Sequence, residues 1–367
     1  MNSDIPHPSK FIPEDAGEHL RNAGYDAENL KTLHERQLAA IFEQNWFNLF
    51  VPQKLGGLEL SLPEIIRTEE GISWADGSSG WVVTLCSGAA WFAGFLDPGV
   101  SAKIFESHNT CFAGSGAVNG TANRTTNGFA INGFWPYATG SLLATVFTAN
   151  CLVQENGVQV NDAKGSPLVK SFLLMADEVK IHRTWHAMGM VATGSHSIEV
   201  KSVTIPKNRS FIIDPNFAVL TDDIFRYPFL QLAESTLTAN LSGMAVRFLD
   251  LAEAKLRHKH GVSFQGNIEE CGTRLQHARN VFYRCTDNAW QSIIAGQSIA
   301  IPNEVLAQAT DACRQLVVCC ADVVATLYPY CGLDAADTRQ EINRVWRNFQ
   351  TAIQHNLFRS FRIPAKL

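Results

Sequence analysis

The nine cysteines of this chain include no C-x-x-C pair and follow no regular spacing. No G-x-S-x-G elbow, no Walker phosphate loop and no G-x-G-x-x-G opening a helix occurs either. Those absences remove the short-motif cases for a redox dithiol, a serine hydrolase, a P-loop NTPase and a dinucleotide fold. Basic charge is also in deficit. Lys and Arg number 30 against 35 Asp and Glu, for a net charge of −5. A surface of that sign gives nucleic acid no electrostatic footprint, so none is expected as a partner. Metal ligation has little support, since His182 and His186 have no carboxylate at ligand spacing beside them. The uncharged stretch "GSSGWVVTLCSGAAWFAGFL" between Asp76 and Asp97 approaches the length of a bilayer span. Its first part is rich in Gly and Ser, and no basic residue closely flanks it, so a buried helix is expected rather than a membrane span. The odd cysteine count and the polar start "MNSDIPHPSK" point to a reducing, cytoplasmic setting.

What is present is a well-buried globular composition, 46% hydrophobic and 18% charged over 367 residues, enough for two or three lobes. Residues 1–108 read as an N-terminal helical domain. "SLPEIIRTEEGISWA" opens on a Ser cap with Pro in the first turn. Residues 109–215 switch to period two, in runs such as "LATVFTANCLV" and "HSIEVKSVTIP" punctuated by Gly, Pro and Asn-Gly. A small antiparallel sheet or barrel is expected there. Residues 216–367 return to helical spacing in four segments, long enough for a four-helix bundle. The fold class is therefore mainly α with a central β domain. Helix 303–329 carries Leu316, Val317, Val318, Val323, Val324 and Leu327 around most of its circumference, more than one surface helix needs. An oligomer joined through the bundle is expected from this.

One stretch in the β region carries chemistry. "NGFAINGFWPYATGSLLATVF" begins as an Asn-Gly hairpin, then places Trp135, Tyr137, Thr139 and Ser141 at alternate positions. Aromatics and hydroxyls on one side of a strand suit a flat, partly polar ligand. A flavin ring needs an aromatic wall, which Tyr137 could form, and a hydrogen-bond donor, which Thr139 could supply. The nearby "AGSGAVNGTANR", with Ser115, is either a flexible loop or a set of backbone N–H and hydroxyl groups offered to an anionic or carbonyl-rich ligand.

At these residues the chain resembles the acyl-CoA dehydrogenase superfamily. "INGFWPYATGS" is similar to its flavin-facing strand. "TWHAMGMVATGSHSIEVKSVTIP" resembles the second β signature, from Trp185 through Gly189, Met190, Thr193, Gly194 and Ser195 to Pro206. "EEGISWADGSSGWV" and "RVWRNFQTAIQH" are similar to the acidic helix and the last bundle helix. The resemblance spans residues 12 to 357 and implies FAD or FMN as cofactor. It makes Tyr137, Thr139, Ser141, Ser115 and Trp185 candidate cofactor contacts and Trp91 a candidate substrate contact.

Two branches of the superfamily imply different chemistry. Acyl-CoA dehydrogenases remove an α-proton with a Glu. Asn356 stands where the commonest branch has it, while Glu234 in "LAESTL" falls where other branches draw it. The two-component flavin monooxygenases take reduced flavin and hydroxylate aromatic or similar substrates, and His355 matches a histidine of theirs. A second histidine of that branch is replaced by Ala89, and the Asp of its W-R-D run is Asn348. The monooxygenase or oxidase reading is preferred, with His355 as its catalytic group. A dehydrogenase using Glu234 is the alternative, and a flavin-binding homologue without chemistry the third. The implied partners are an acyl-CoA or an aromatic or hydrophobic compound, a flavin reductase or electron-transfer flavoprotein, and three further copies in a homotetramer.

Overall fold

A computed structural model describes residues 4–259, 262–294 and 301–362. Six helices come first: α1 (Glu14–Asn22), α2 (Gly24–Leu30), α3 (Glu35–Glu43), α4 (Leu62–Ala75), α5 (Gly77–Ala90) and α6 (Pro98–Phe105). Local chemistry sets their ends. Before α4, the Ser61 N–H donates to Glu64 at 2.8 Å, and Pro63 occupies the first turn. Asp76 caps α5, accepting from the Ser79 N–H at 2.8 Å. The uncharged stretch after Asp76 forms α5 and the turn Trp91–Phe95, nearly all of it buried in protein. Its apolar character is thus used inside the fold. A Cβ on Gly80 would come within 2.5 Å of the Ser73 backbone, so α4 and α5 touch only because Gly80 has no side chain.

Eight strands follow: β1 (Phe112–Arg124), β2 (Gly128–Ala138), β3 (Val146–Glu155), β4 (Val158–Gln159), β5 (Val169–Met175), β6 (Lys180–His182), β7 (His196–Pro206) and β8 (Ser210–Phe211). Their order is β6-β7-β2-β1-β3-β5-β8, with β4 on β3. The sheet is mixed, not purely antiparallel as expected, because β1 and β3 run parallel. After the Asn127-Gly128 hairpin, Thr139–Thr145 carries the chain across the end of β1, so β3 enters on its far side. Ile131, Trp135, Phe147, Phe172 and Ile198 form a separate core under the sheet.

The C-terminal part contains α7 (Phe229–Lys259), α8 (Val262–Ile294), α9 (Asn303–Leu327), α10 (Glu341–Ala352) and α11 (Asn356–Arg362). The last segment, expected to be continuous, breaks after Ala352, and His355 lies in the break. The apolar circumference of helix 303–329 also needs correction as a motive for assembly. Leu316, Val317, Val323, Val324 and Leu327 have no accessible surface in the single chain, and of the six residues only Val318 is exposed.

One buried ion pair ties the N-terminal helices to this part. Arg279 of α8 donates to both oxygens of Glu70 on α4, at 2.7 and 2.8 Å. Tyr283 and Ser242 complete the carboxylate's hydrogen bonds. Removing one partner strands a buried charge. Arg279→Met is therefore expected to lower unfolding stability by about 3–5 kcal/mol in urea titrations. Adding Glu70→Gln should restore much of the loss, and a double variant no more stable than the single one would contradict this account.

Candidate active site

The turn after β2 meets the loop before β7, and hydrogen bonds lock them together. Gly140 N–H donates to the Thr193 carbonyl at 2.9 Å, and Ser141 Oγ donates to the Gly194 carbonyl at 2.7 Å. Gly140 and Gly194 both have positive φ, which their missing side chains allow. Three buried hydroxyls then form a relay. Thr193 Oγ1 donates to the Met190 carbonyl at 2.8 Å, which spends its only proton. Ser195 Oγ, 2.7 Å from Thr193, must therefore donate to it. Thr139 Oγ1, 2.9 Å from Ser195, must in turn donate to Ser195. The relay runs one way and leaves Thr139 with lone pairs to offer and no proton.

The four alternating residues do not line one side of a strand. The β2–β7 register slips between Trp135 and Ala138, and Tyr137 takes a left-handed φ of 63°. Trp135 turns wholly inward, its Nε1 donating to the Asn150 carbonyl at 3.0 Å. Tyr137 is 69% exposed and meets the edge of Trp185 at 6.2 Å between ring centroids. Ser115 is half-buried on β1, its Oγ accepting from the Ala117 N–H at 3.4 Å, and no described hydrogen bond ties it to the Thr139 turn. Trp91 has no accessible surface. Its Nε1 donates to the Ile224 carbonyl at 3.1 Å and its ring stacks on Phe229. That is the placement of a core residue.

Contacts from α10 and from within the loop hold Met190 in place. The Met190 N–H donates to Asn348 Oδ1 at 2.6 Å, and the Met190 carbonyl accepts from Trp185 Nε1 as well as Thr193. Met190 itself has a left-handed φ of 54°. A Cβ on Gly189 would sit 2.0 Å from the Arg347 carbonyl oxygen, so only glycine lets α10 approach this closely. Arg347 donates to the Met188 carbonyl and pairs with Glu28 through two bonds of 2.8 Å. An amide oxygen at 348 accepts the Met190 N–H as a carboxylate would, without placing a charge at a buried position. His196, opposite Ala138, accepts the Trp185 N–H on Nδ1 at 3.1 Å. Its buried Nε2 has no hydrogen-bond partner, and burial lowers its pKa, so the ring is neutral with Nε2 protonated.

The two candidate catalytic groups stand apart. His355 is half-buried in the α10–α11 break, edge-on to Trp81 of α5 at 5.8 Å. Burial lowers its pKa, and Nδ1 accepts from the Leu357 N–H at 3.4 Å, so a neutral ring carries its proton on Nε2. Glu234 lies between α7 and α9 and accepts from Thr310 Oγ1 at 2.6 Å. Burial raises its pKa, while Thr310 and Arg314 act in the opposite sense. No described hydrogen bond or ring contact joins the two.

An exposed aromatic on strained backbone, a hydroxyl offering lone pairs and an unpartnered imidazole N–H together fit a flat ring with a polar edge, as in a flavin. A family model described as the acyl-CoA dehydrogenase C-terminal domain matches residues 225–360. An indole-3-acetate monooxygenase of Pseudomonas putida is 26% identical over 324 residues, 84% of this chain and 79% of that protein. The HsaA monooxygenase from M. tuberculosis superposes with a TM-score of 0.87 at 21% identity, covering 96% of this chain and 93% of that one. XiaF from a Streptomyces species, solved in complex with FADH2 and glycerol, superposes with a TM-score of 0.85 at 20% identity, over 96% and 91% of the two chains. Residues 225–360 thus match the acyl-CoA dehydrogenase C-terminal domain, and the chain as a whole shares the fold of the HsaA and XiaF structures.

Proposed function

We propose that this chain is the oxygenase component of a two-component flavin monooxygenase, taking reduced FAD or FMN from a separate reductase and hydroxylating an aromatic compound. The direction of the Thr139–Ser195–Thr193 relay carries this reading. Reduced flavin bears a hydrogen on N5 and activates dioxygen, whereas oxidised flavin has a lone pair there. A Thr139 hydroxyl committed to Ser195 accepts from the first and cannot donate to the second. The expectation that Thr139 donates to the ring becomes, on this reading, the expectation that it accepts. Tyr137 and Trp185 form the wall, and Ser141 holds the turn that presents Thr139. The neutral His355, with its proton on Nε2, supplies a donor beside Trp81. Indole-3-acetate, the substrate named for the Pseudomonas relative, is the first compound to try.

A dehydrogenase needs a carboxylate base near its substrate. Glu234 is the candidate, but it is engaged by Thr310 on the α7–α9 side. We further propose a homotetramer assembled through the bundle. Support comes from an open groove of about 760 Å³ on α8 and α9, in which Val318 and Cys319 lie among Arg274, His277 and Arg314. Light scattering at micromolar concentration should give a mass near four chains, and a monomer would remove the proposal.

Ser195→Ala frees the Thr139 proton to point at the flavin. The affinity ratio of reduced to oxidised flavin, measured by anaerobic titration, should then fall by about two- to tenfold, the worth of one hydrogen bond. An unchanged ratio would take Thr139 out of contact with the reactive edge. The catalytic candidates separate in parallel variants. With reduced flavin, oxygen and substrate, His355→Ala should release peroxide in place of product, while Glu234→Gln should retain coupling. The reverse pattern, with acyl-CoA bleaching the flavin in a Glu234-dependent way, would establish the dehydrogenase.

A further inference from the structure

Glu69 and Glu70 are adjacent on α4, both without accessible surface, and their surroundings differ completely. Glu70 is matched by Arg279, Tyr283 and Ser242. Glu69 has no cation beside it. Its Oε1 accepts from Ser87 Oγ at a long 3.4 Å, and its Oε2 makes no hydrogen bond. Burial pushes its carboxyl up to about 8, with Ser87 and Thr84 acting weakly in the opposite sense. Glu69 is therefore a neutral acid at physiological pH, holding a proton with no acceptor. Thr84 Oγ1 is also buried without a hydrogen bond. Unpartnered polar groups of this kind are destabilising when buried, a cost an apolar residue would avoid.

Helix α5 connects this spot to the candidate active site. Successive residues turn about 100°, so Trp81, Leu85 and Gly88 share one strip and Thr84 borders it. Trp81 is the residue edge-on to His355. Leu85 and Gly88 are only half-buried, and a Cβ on Gly88 would meet nothing within 4 Å. Cys86, on the next face, reaches the Thr139 carbonyl with its Sγ at 3.8 Å. Leu85 and Gly88 thus leave the strip of α5 that Trp81 shares and Thr84 borders only partly covered.

We propose that Glu69, with Thr84 and Ser87, forms the far end of the substrate pocket and binds the carboxylate of an aromatic acid whose ring lies along Leu85 and Gly88 toward His355. This rests on the monooxygenase reading for which end of the pocket reacts. The Glu69 carboxyl proton and the Thr84 hydroxyl proton are left for an oxygen acceptor, Ser87 being spent on Glu69 Oε1, and an acid–carboxylate pair shares one charge between two buried groups. The other titratable groups near Glu69 do not compete. Arg279 and Tyr283 from α8 are spent on Glu70, α7 sends Ser242 to the same carboxylate, and α5 presents Thr84 and Ser87.

The test is calorimetric binding of indole-3-acetate and of 3-methylindole to the full chain loaded with reduced flavin under nitrogen. Wild type should prefer the acid, and that preference should fall as the pH rises from 7 to 9, because Glu69 then loses its proton and repels a carboxylate. Glu69→Leu should weaken the acid by about tenfold or more, the worth of a hydrogen bond to a charged group, and spare 3-methylindole. Glu69→Gln keeps an N–H donor and the shape. It should hold the acid near wild-type affinity at pH 7 with a flat pH profile, which decides the matter if the Leu variant fails to fold. Equal weakening of both probes, an unchanged pH profile in Glu69→Gln, or no preference for the acid in wild type would each overturn the proposal. Glu69-dependent binding without hydroxylated product from oxygen uptake would instead sink the monooxygenase reading and leave this one standing.

Discussion

The Met190 peptide is the joint on which the site depends. Its N–H is held by Asn348 from α10, and its carbonyl by Trp185 and Thr193 from its own loop. A left-handed φ on a non-glycine residue costs of order 1–3 kcal/mol, so the surrounding contacts must over-determine it. They do so from two directions. Arg347, charge-balanced by Glu28 of α2, fixes the neighbouring Met188 carbonyl, and Gly189 lets the α10 backbone press against the loop. Sheet, bundle and N-terminal helices therefore converge on one peptide group.

That joint also orients the hydroxyls two steps away. Because the Met190 carbonyl can only accept, Thr193 must donate to it, and every proton in the relay is directed by that end. The direction of the Thr139 hydroxyl is thus tied to a carbonyl it does not touch. Tyr137 is exposed for a related reason. The register slip that ends β2 swings it away from the core that Trp135 enters, on the same face as Trp185.

The order of helices, sheet and bundle was legible because period changes are strong over long segments and Gly, Pro and Asn-Gly mark their limits. The Asn-Gly hairpin and the Ser61 cap formed where local residues demanded them. The parallel β1–β3 pair was not legible, since strand pairing is a long-range property that period two does not encode. Nor was the slip at Tyr137, because a bulge costs one residue and leaves no mark on hydrophobicity. Thr139, Ser141 and Trp185 were found through quoted motifs, and they do meet in one place. Asn348 was noticed only as a departure, although its amide oxygen accepts as a carboxylate would. Ser115 and Trp91 make their described hydrogen bonds to Ala117 and Ile224 and none to the Thr139 turn.

The break at His355 follows from competing demands on the last helix. α10 must lie against the Met190 loop through Gly189 and Asn348, while α11 must seat Phe358 and Phe361 on the bundle. One straight helix cannot satisfy both lines, and the turn at Ile353–His355 absorbs the difference. The His355 imidazole in this turn packs edge-on against both Trp81 of α5 and Phe358 of α11. Its Nδ1 accepts from the Leu357 N–H at the new helix start, which leaves Nε2 to carry the proton of the neutral ring. The position of His355 is a by-product of docking two short helices where the periodicity alone promised one long one.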